Sequence, residues 1–206
     1  MTKNDIHLIF EYDRWANNRI LRTVSALTAE QFTRDLGGGF RSVRDTLVHI
    51  IGGEWGWLTY CKEASPSSAF LKDLWNRHDA LFTADAFPGV ASVQLKWAEI
   101  EEEQAEFVSN VTNESLERLL PFYTTQVKLA QLMQHMVNHS TYHRGPSRAD
   151  DAANLRRARR NGLSPVSGGR SSVSLTQLRN RVKGPEVNVF QLETLSQPCC
   201  PFRTRG

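Results

Sequence analysis

Residues 131–145 have the sequence QLMQHMVNHSTYHRG and contain three of the six histidines in the chain. His139 and His143 are four residues apart, and apolar residues occupy the turns before them. On an α-helix this spacing places both imidazoles on one face, one turn apart. Two neutral imidazoles directed at one point are half of a metal site. The stretch therefore predicts a helix that contributes ligands to a metal centre.

The hydrophobic pattern outside this stretch predicts an all-α protein. Apolar residues at helical spacing predict long helices over residues 5–27, 43–63 and 91–110, and a histidine-bearing helix that begins near residues 126–129. Shorter features are a helix after the TAEQ capping box at residues 28–31, a loop with a short helix at 64–90, and one short strand or extended entry at 122–125. Four long helices with up-down connections predict a four-helix bundle.

Several side chains are assigned positions by the same periodicity. Asn4 or Asp5 is expected to cap the first helix, and Ser42 is expected to cap the second. We expect Leu95 to face inward in the third long helix, and Trp15 to lie in the core or at a dimer interface. Leu8 and Tyr12 belong to the predicted apolar face of the first helix.

Composition limits the class of protein. The chain has 206 residues, of which 40% are hydrophobic and 23% are charged, values that are ordinary for a soluble globular domain. No apolar run approaches the roughly 20 residues needed to cross a bilayer, and the N-terminus lacks a signal-peptide pattern. The three cysteines are Cys61 and the adjacent Cys199 and Cys200, which do not form a disulfide framework. We expect a cytoplasmic protein.

Charge is distributed unevenly along the chain. Residues 1–145 contain 14 Lys+Arg and 18 Asp+Glu, whereas residues 146–206 contain 11 and 4. The second segment is also rich in Ser, Gly and Arg, and it shows no apolar periodicity. The sequence therefore predicts a helical bundle domain over residues 1–145 and a basic, low-complexity tail over residues 146–206.

A third histidine is available to the predicted metal centre. His49 lies between Val48 and Ile50 in the second long helix, and antiparallel packing can bring it beside His139 and His143. Three histidine ligands without a fourth protein ligand would leave one coordination place open, as in catalytic zinc sites. A single histidine on an apolar helix is also typical of a hydrogen-bonded core residue, so spacing alone leaves both interpretations.

Three motifs together resemble the DinB-like family. They are YDRWAN at residues 12–17, SVRDTLVHI at 42–50 with Glu-Trp following at 54–55, and LMQHMVNHSTYHRG at 132–145. The motifs occur in the family's order, and the resemblance extends over about residues 5–145.

The resemblance implies a four-helix bundle, usually a homodimer, in which His49, His139 and His143 bind a divalent metal (zinc, nickel, iron or manganese). Characterised relatives include thiol-dependent transferases and isomerases that use low-molecular-weight thiols such as bacillithiol or mycothiol. We therefore expect a metal-dependent enzyme of the thiol-dependent transferase or hydrolase type, in which a metal-bound water or thiol performs the chemistry. The alternative from another class is a non-catalytic, stress-related dimeric bundle that binds metal.

Other residues near the motif admit more than one role. His135, one turn before His139, could be a fourth ligand or an outer group that supports the ligands, and we expect a packed or partner-facing side chain. Asp45 could orient His49, although a surface ion pair is the expected interpretation. Asn138 and Tyr142 could line a pocket or pack at the bundle or dimer surface.

The resemblance ends at Pro146. A proline here removes a helical hydrogen bond and costs about 3 kcal/mol in a helix interior. Encoded with suitable synonymous codons and read one base later, residues 146–156 begin QVARMMRQ and residues 161–169 give TDFHLFLA, both similar to family sequence. We therefore expect either a one-base insertion near this point or a disordered basic tail that binds nucleic acid, and we favour the insertion.

Overall fold

The computed structural model describes residues 1–36, 40–122 and 124–160, with the backbone alone for residues 145–160. The chain divides into a unit of Met1–Ala153 and a unit of Asn154–Gly206. The first unit contains the helical bundle. Within the described residues, no helix has both the length and the apolar character needed to cross a membrane.

The elements confirm the predicted all-α class. In chain order they are α1 (Lys3–Val24), α2 (Ala29–Thr33), α3 (Val43–Lys62), α4 (Ser68–Leu81), α5 (Val90–Asn110), β1 (Leu119–Phe122), β2 (Thr125–Lys128) and α6 (Leu129–Arg160), with single 3-10 turns at Ala84–Ala86 and Ser115–Glu117. The long helices α1, α3, α5 and α6 form the up-down four-helix bundle. Both α1 and α3 pack against α5, and the shorter α2 and α4 pack against α3.

Helix N-termini follow the capping residues, with one correction. Thr2 caps α1, where Asn4 or Asp5 was expected. Its hydroxyl accepts from the backbone N–H of Asp5, and the Asp5 carboxylate accepts from the backbone N–H of Thr2. This reciprocal pair is a capping box, so α1 begins two residues earlier than predicted. Thr28 and Ser42 cap α2 and α3 as predicted.

The connections contain more regular structure than the sequence predicts. Helix α4 is 14 residues long, rather than a short helix in a loop. The single strand predicted at residues 122–125 was wrong, because these residues span the turn of an antiparallel hairpin in which Leu119 pairs with Lys128 and Phe122 pairs with Thr125. The Arg118 guanidinium, at the start of the hairpin, donates hydrogen bonds to backbone carbonyls at the C-terminal end of α3. The hairpin is thereby joined to the helix that contains His49.

Helix α3 is the central helix of the bundle, since 15 of its 20 residues are buried. On α5, Trp97 is fully buried whereas Leu95 is 67% exposed, so the prediction that Leu95 faces inward was wrong. Two residues along a helix correspond to a rotation of about 200°, which places these side chains on nearly opposite faces. Leu8, Tyr12 and Trp15 of α1 are also at least half exposed.

Helix α6 continues through Pro146 to Arg160, so the helix does not end at the predicted domain boundary. The prediction of a disordered or frame-shifted tail over residues 146–206 falls largely on residues 161–206, which lie outside the described part of the chain. The nucleic-acid-binding interpretation of that tail lies outside it as well.

Candidate metal centre

Three histidines from two helices meet inside the bundle. The Nε2 atom of His49 on α3 lies 3.2 Å from Nε2 of His143 and 3.2 Å from Nε2 of His139, both on α6. One nitrogen of each ring falls within 4.8 Å of the other two. The structure thus brings together all three residues that the sequence predicts to be metal ligands.

The spacing of these nitrogens fits a shared metal ion. Two nitrogens about 2.1 Å from one zinc ion are roughly 3.0 Å apart at a right angle and 3.4 Å apart at the tetrahedral angle. The observed 3.2 Å lies between these values. The His49 Nε2 atom cannot form a full hydrogen bond to both neighbours at once, because a neutral ring nitrogen either donates one proton or accepts at one lone pair. A cation would engage all three lone pairs at once.

Burial keeps the two α6 histidines of the cluster in the neutral form that can bind a metal. His139 and His143 are 5% and 7% exposed. Burial, reinforced by the neighbouring His49 and His143, lowers the pKa of His139 to about 2. Burial also lowers the pKa of His143. Neither imidazole therefore needs to lose a proton before binding a metal near neutral pH.

A glycine makes room for the His139 ring. A Cβ atom placed on Gly53 of α3 would lie 2.5 Å from Cε1 of His139 and 3.0 Å from its Nδ1. The Phe40 ring lies 4.4 Å from the His49 ring and 5.3 Å from the His143 ring, measured between centroids. The cluster therefore contacts the backbone of α3 at His139 and an aromatic side chain at His49 and His143. The sequence suggested only that the glycines of α3 permit close helix packing.

His135, whose role the sequence left open, lies outside the three-histidine cluster. Its ring packs edge-on against Trp57 and Phe122, at centroid distances of 5.0 and 5.8 Å. Its centroid is 6.5 Å from that of His139, and burial lowers its pKa. This agrees with a packed side chain.

The remaining candidates lie towards the surface. The Asp45 carboxylate forms an ion pair with Arg44 at 3.1 Å, as expected for the surface interpretation. Asn138 is exposed. Tyr142 is 60% exposed, and its ring meets that of His143 edge-on at 5.0 Å. Tyr142 is therefore the exposed neighbour of a buried histidine of the cluster.

Sequence reasoning missed a buried polar network behind the histidines. The Arg144 guanidinium donates hydrogen bonds to the Asp13 carboxylate and to the Asn17 side-chain oxygen, both on α1. Asn17 in turn donates to Asp13 at 3.2 Å. Arg144 and Asp13 are 5% and 2% exposed, so this is a buried ion pair.

Glu54 of α3 extends the network to the other long helices. Its Oε1 accepts from the Ser140 hydroxyl at 2.7 Å and from the Asn17 amide at 2.9 Å. The Gln104 amide of α5 approaches its Oε2 at 3.4 Å. Burial and the nearby Asp13 carboxylate raise the pKa of Glu54 to about 8. All four long helices therefore meet in one polar cluster.

Burial also raises the pKa of Asp13, although the Arg144 charge opposes this effect. Two acids and one arginine therefore share the core, and the protonated form of Glu54 leaves Asp13 and Arg144 as a balanced pair. A signal was present in the sequence. Asp13 and Asn17 are four residues apart, and Glu54 is the only charged residue in the segment IIGGEWGWL at residues 50–58.

The fold and this site together define a helical bundle with a three-histidine cluster shared by two long helices. The chain belongs to the DinB family, which matches residues 1–147, so the predicted resemblance is confirmed. The chain is similar to protein DinB of Bacillus subtilis (strain 168), with 24% identity over 142 residues, covering 66% of this chain and 78% of that protein. The crystal structure of an uncharacterised protein from Escherichia coli UTI89 matches with a TM-score of 0.48 and 15% identity, covering 80% of this chain and 96% of that chain.

Proposed function

We propose that this chain binds a divalent metal and acts in the cytoplasm as a metal-dependent enzyme of the thiol-dependent transferase or hydrolase type. The observation that supports this most strongly is the convergence of the His49, His139 and His143 nitrogens, with His49 at 3.2 Å from each of the others. The all-imidazole ligand set suits zinc, iron and nickel. Manganese is a further candidate from the family resemblance.

Different residues of the chain would have different roles at such a site. Three protein ligands leave a coordination place for water or substrate. A divalent metal held there would supply the Lewis acidity that makes a water or a thiol nucleophilic at neutral pH. Phe40 covers part of the His49 and His143 rings. We propose that the ring of Tyr142, which is exposed and lies edge-on to His143, contacts an incoming thiol or electrophile.

Metal content tests the proposal directly. We expect purified full-length protein to contain about one divalent metal ion per chain, measured by elemental mass spectrometry. His139→Ala should lose most of this metal because a ligand is removed. His78→Ala is the matched control, since His78 lies on α4 outside the cluster. Equal metal content in wild type and His139→Ala would overturn the assignment.

Turnover separates catalysis from binding alone. The metal-loaded protein is assayed with low-molecular-weight thiol donors and small electrophiles, and for hydrolysis without a thiol. We expect activity that disappears with His139→Ala and with metal removal. Stoichiometric metal without turnover in any of these assays would instead assign the chain as a non-catalytic metal-binding bundle.

We also propose that the protein is a homodimer, and an exposed stripe on α1 supports this. Leu8, Tyr12 and Trp15 are 66%, 50% and 51% exposed and lie at the i, i+4, i+7 positions of one helix face. Trp15→Glu should convert a dimer into a monomer in analytical ultracentrifugation without loss of metal. Leu95→Glu, at an exposed leucine of α5, should leave the dimer intact. A monomeric wild type would overturn this proposal.

A further inference from the structure

Helix α6 bears two parallel rows of functional side chains. His139 and His143 form one row, and Ser140 and Arg144, one residue later in each case, form the other. Successive residues of a helix are about 100° apart, so the two rows face different neighbours. The histidine row meets His49 of α3. The polar row meets a buried carboxyl group of α3 and the buried polar residues of α1.

The partners of the polar row are defined by direct contacts. The Ser140 hydroxyl donates to Glu54 Oε1 at 2.7 Å, and Ser140 is fully buried. The Arg144 guanidinium donates to Asp13 and Asn17 of α1, and its other nitrogen donates to the Thr141 hydroxyl at 2.7 Å. These bonds are directional, so they fix the rotation of α6 more sharply than apolar packing does.

We propose, on the basis of the proposed metal function, that Ser140 and Arg144 are positioning residues that set the rotation of α6 and thereby bring His139 and His143 into register with His49. They touch neither the metal nor a substrate. Their effect is transmitted through the backbone of the helix that they share with the two ligands.

Helix geometry determines how precisely the rotation of α6 must be fixed. A ring nitrogen lies roughly 6 Å from the helix axis, so a rotation of about 10° displaces it by about 1 Å. Metal–ligand distances tolerate only about 0.2 Å. A small rotation of α6 would therefore remove both of its ligands from bonding distance together. A hydrogen bond on each of two adjacent turns is well placed to prevent this.

Stability of the fold alone does not explain a buried polar network at this position. Buried ion pairs and hydrogen bonds often stabilise a fold no better than apolar residues of the same shape. The cluster also avoids an unbalanced charge, because the raised pKa of Glu54 keeps this acid protonated at neutral pH. Directional bonds that orient metal ligands are a recognised use of such groups.

The test uses full-length protein and compares Ser140→Ala with Ser109→Ala, which removes the hydroxyl of an exposed serine on α5. The readouts are the dissociation constants for Zn²⁺ and Co²⁺ and the visible spectrum of the Co²⁺ form. The melting temperature of the metal-free protein reports on folding. We expect Ser140→Ala to bind both metals about 10–100-fold more weakly and to change the Co²⁺ bands. Ser109→Ala should match the wild type.

A second variant tests the same bond from its acceptor. Glu54→Gln keeps an oxygen that can accept from Ser140, so its metal affinity should stay close to that of the wild type. Glu54→Met removes the acceptor and should reproduce the loss seen in Ser140→Ala. If the wild type binds metal and Ser140→Ala binds it equally well with an unchanged Co²⁺ spectrum, the positioning role is overturned while the proposed function stands. A wild type that binds no metal overturns both.

Discussion

Replacing Gly53 with alanine should damage the metal site far more than the fold. The new Cβ would lie 2.5 Å from Cε1 of His139, and ordinary contact begins at 3.4 Å, so the ring must move by about 0.9 Å. Metal–ligand distances tolerate about 0.2 Å. We therefore expect Gly53→Ala to lose His139 as a ligand and to weaken metal binding by at least about 100-fold, or about 2.8 kcal/mol.

The cost to the fold should be smaller because two effects oppose each other. Overpacking a core costs about 1–3 kcal/mol, while alanine favours a helix over glycine by about 1 kcal/mol. The clash also falls on a side chain, which can rotate away. The metal-free Gly53→Ala protein should therefore lose only about 0–2 kcal/mol of unfolding free energy.

Gly52→Ala provides a control on the adjacent residue of the same helix. Its Cβ would lie 2.8 Å from Nε2 of His78 and 3.2 Å from Phe82, and so would meet α4 instead of a ligand. Both variants are compared by chelator-competition titration with Zn²⁺ and by denaturant unfolding without metal. Gly52→Ala should change stability while retaining metal affinity. Wild-type metal affinity in Gly53→Ala would refute the role assigned to the space beside His139.

Three further predictions concern stability and ligand identity. Because the pKa of Glu54 is raised to about 8 from 4.5, the folded chain holds a proton that the unfolded chain has released between these values, and stability should fall as pH rises to 8. The lowered pKa of His139 has the opposite effect, and only below pH 6.5. Thermal melts of the metal-free protein from pH 6.5 to 8 should therefore show a melting temperature that falls with pH because of Glu54. Glu54→Gln should flatten this dependence. Arg144→Met leaves Asp13 buried without its cation and should lower the free energy of unfolding by about 3–5 kcal/mol at pH 7. Denaturant unfolding should show a smaller loss at pH 5, where Asp13 protonates more readily. An equal loss at both pH values would contradict this account. His135→Phe should retain full metal content by elemental analysis, since His135 packs against aromatic rings outside the ligand cluster; loss of metal would make it a ligand.

Part of the site could be predicted from local geometry. His139 and His143 share a face because helix periodicity alone requires it. His49 is 90 residues from His139 in sequence, and only the resemblance to a family selected it over a buried structural histidine. Asp13 and Arg144 are 131 residues apart, and neither residue alone indicates that the other will neutralise it. Pairing of this kind depends on tertiary packing, which a single sequence does not specify.

The fold was predictable where the periodicity was long and the caps were clear, as in α3 after Ser42. It was not predictable at the hairpin, because residues 123–124, between the strands, are Tyr and Thr rather than the Asn-Gly or Asp-Gly that typically marks a two-residue turn. The predicted inward position of Leu95 was also wrong, because residue type alone does not distinguish a leucine on an exposed helix face from a leucine in the core.

The polar row of α6 also resolves an ambiguity in the histidine row. His135, His139 and His143 recur every four residues, so three imidazoles lie along one side of the helix. A slide of α6 by four residues, about 6 Å along its axis, would replace the pair 139 and 143 with the pair 135 and 139. Judged by the histidines alone, the two registers would be nearly equivalent.

The residues that follow each histidine are not equivalent. In the shifted register, Met136 would stand where Ser140 now donates to Glu54, and Ser140 would stand where Arg144 now neutralises Asp13. Glu54 would lose the Ser140 hydroxyl and Asp13 would lose its only described cation, and a buried carboxylate without its cation strongly destabilises a protein core. The residues that follow His139 and His143 therefore select one register of α6 in the bundle, although the spacing of the histidines permits two.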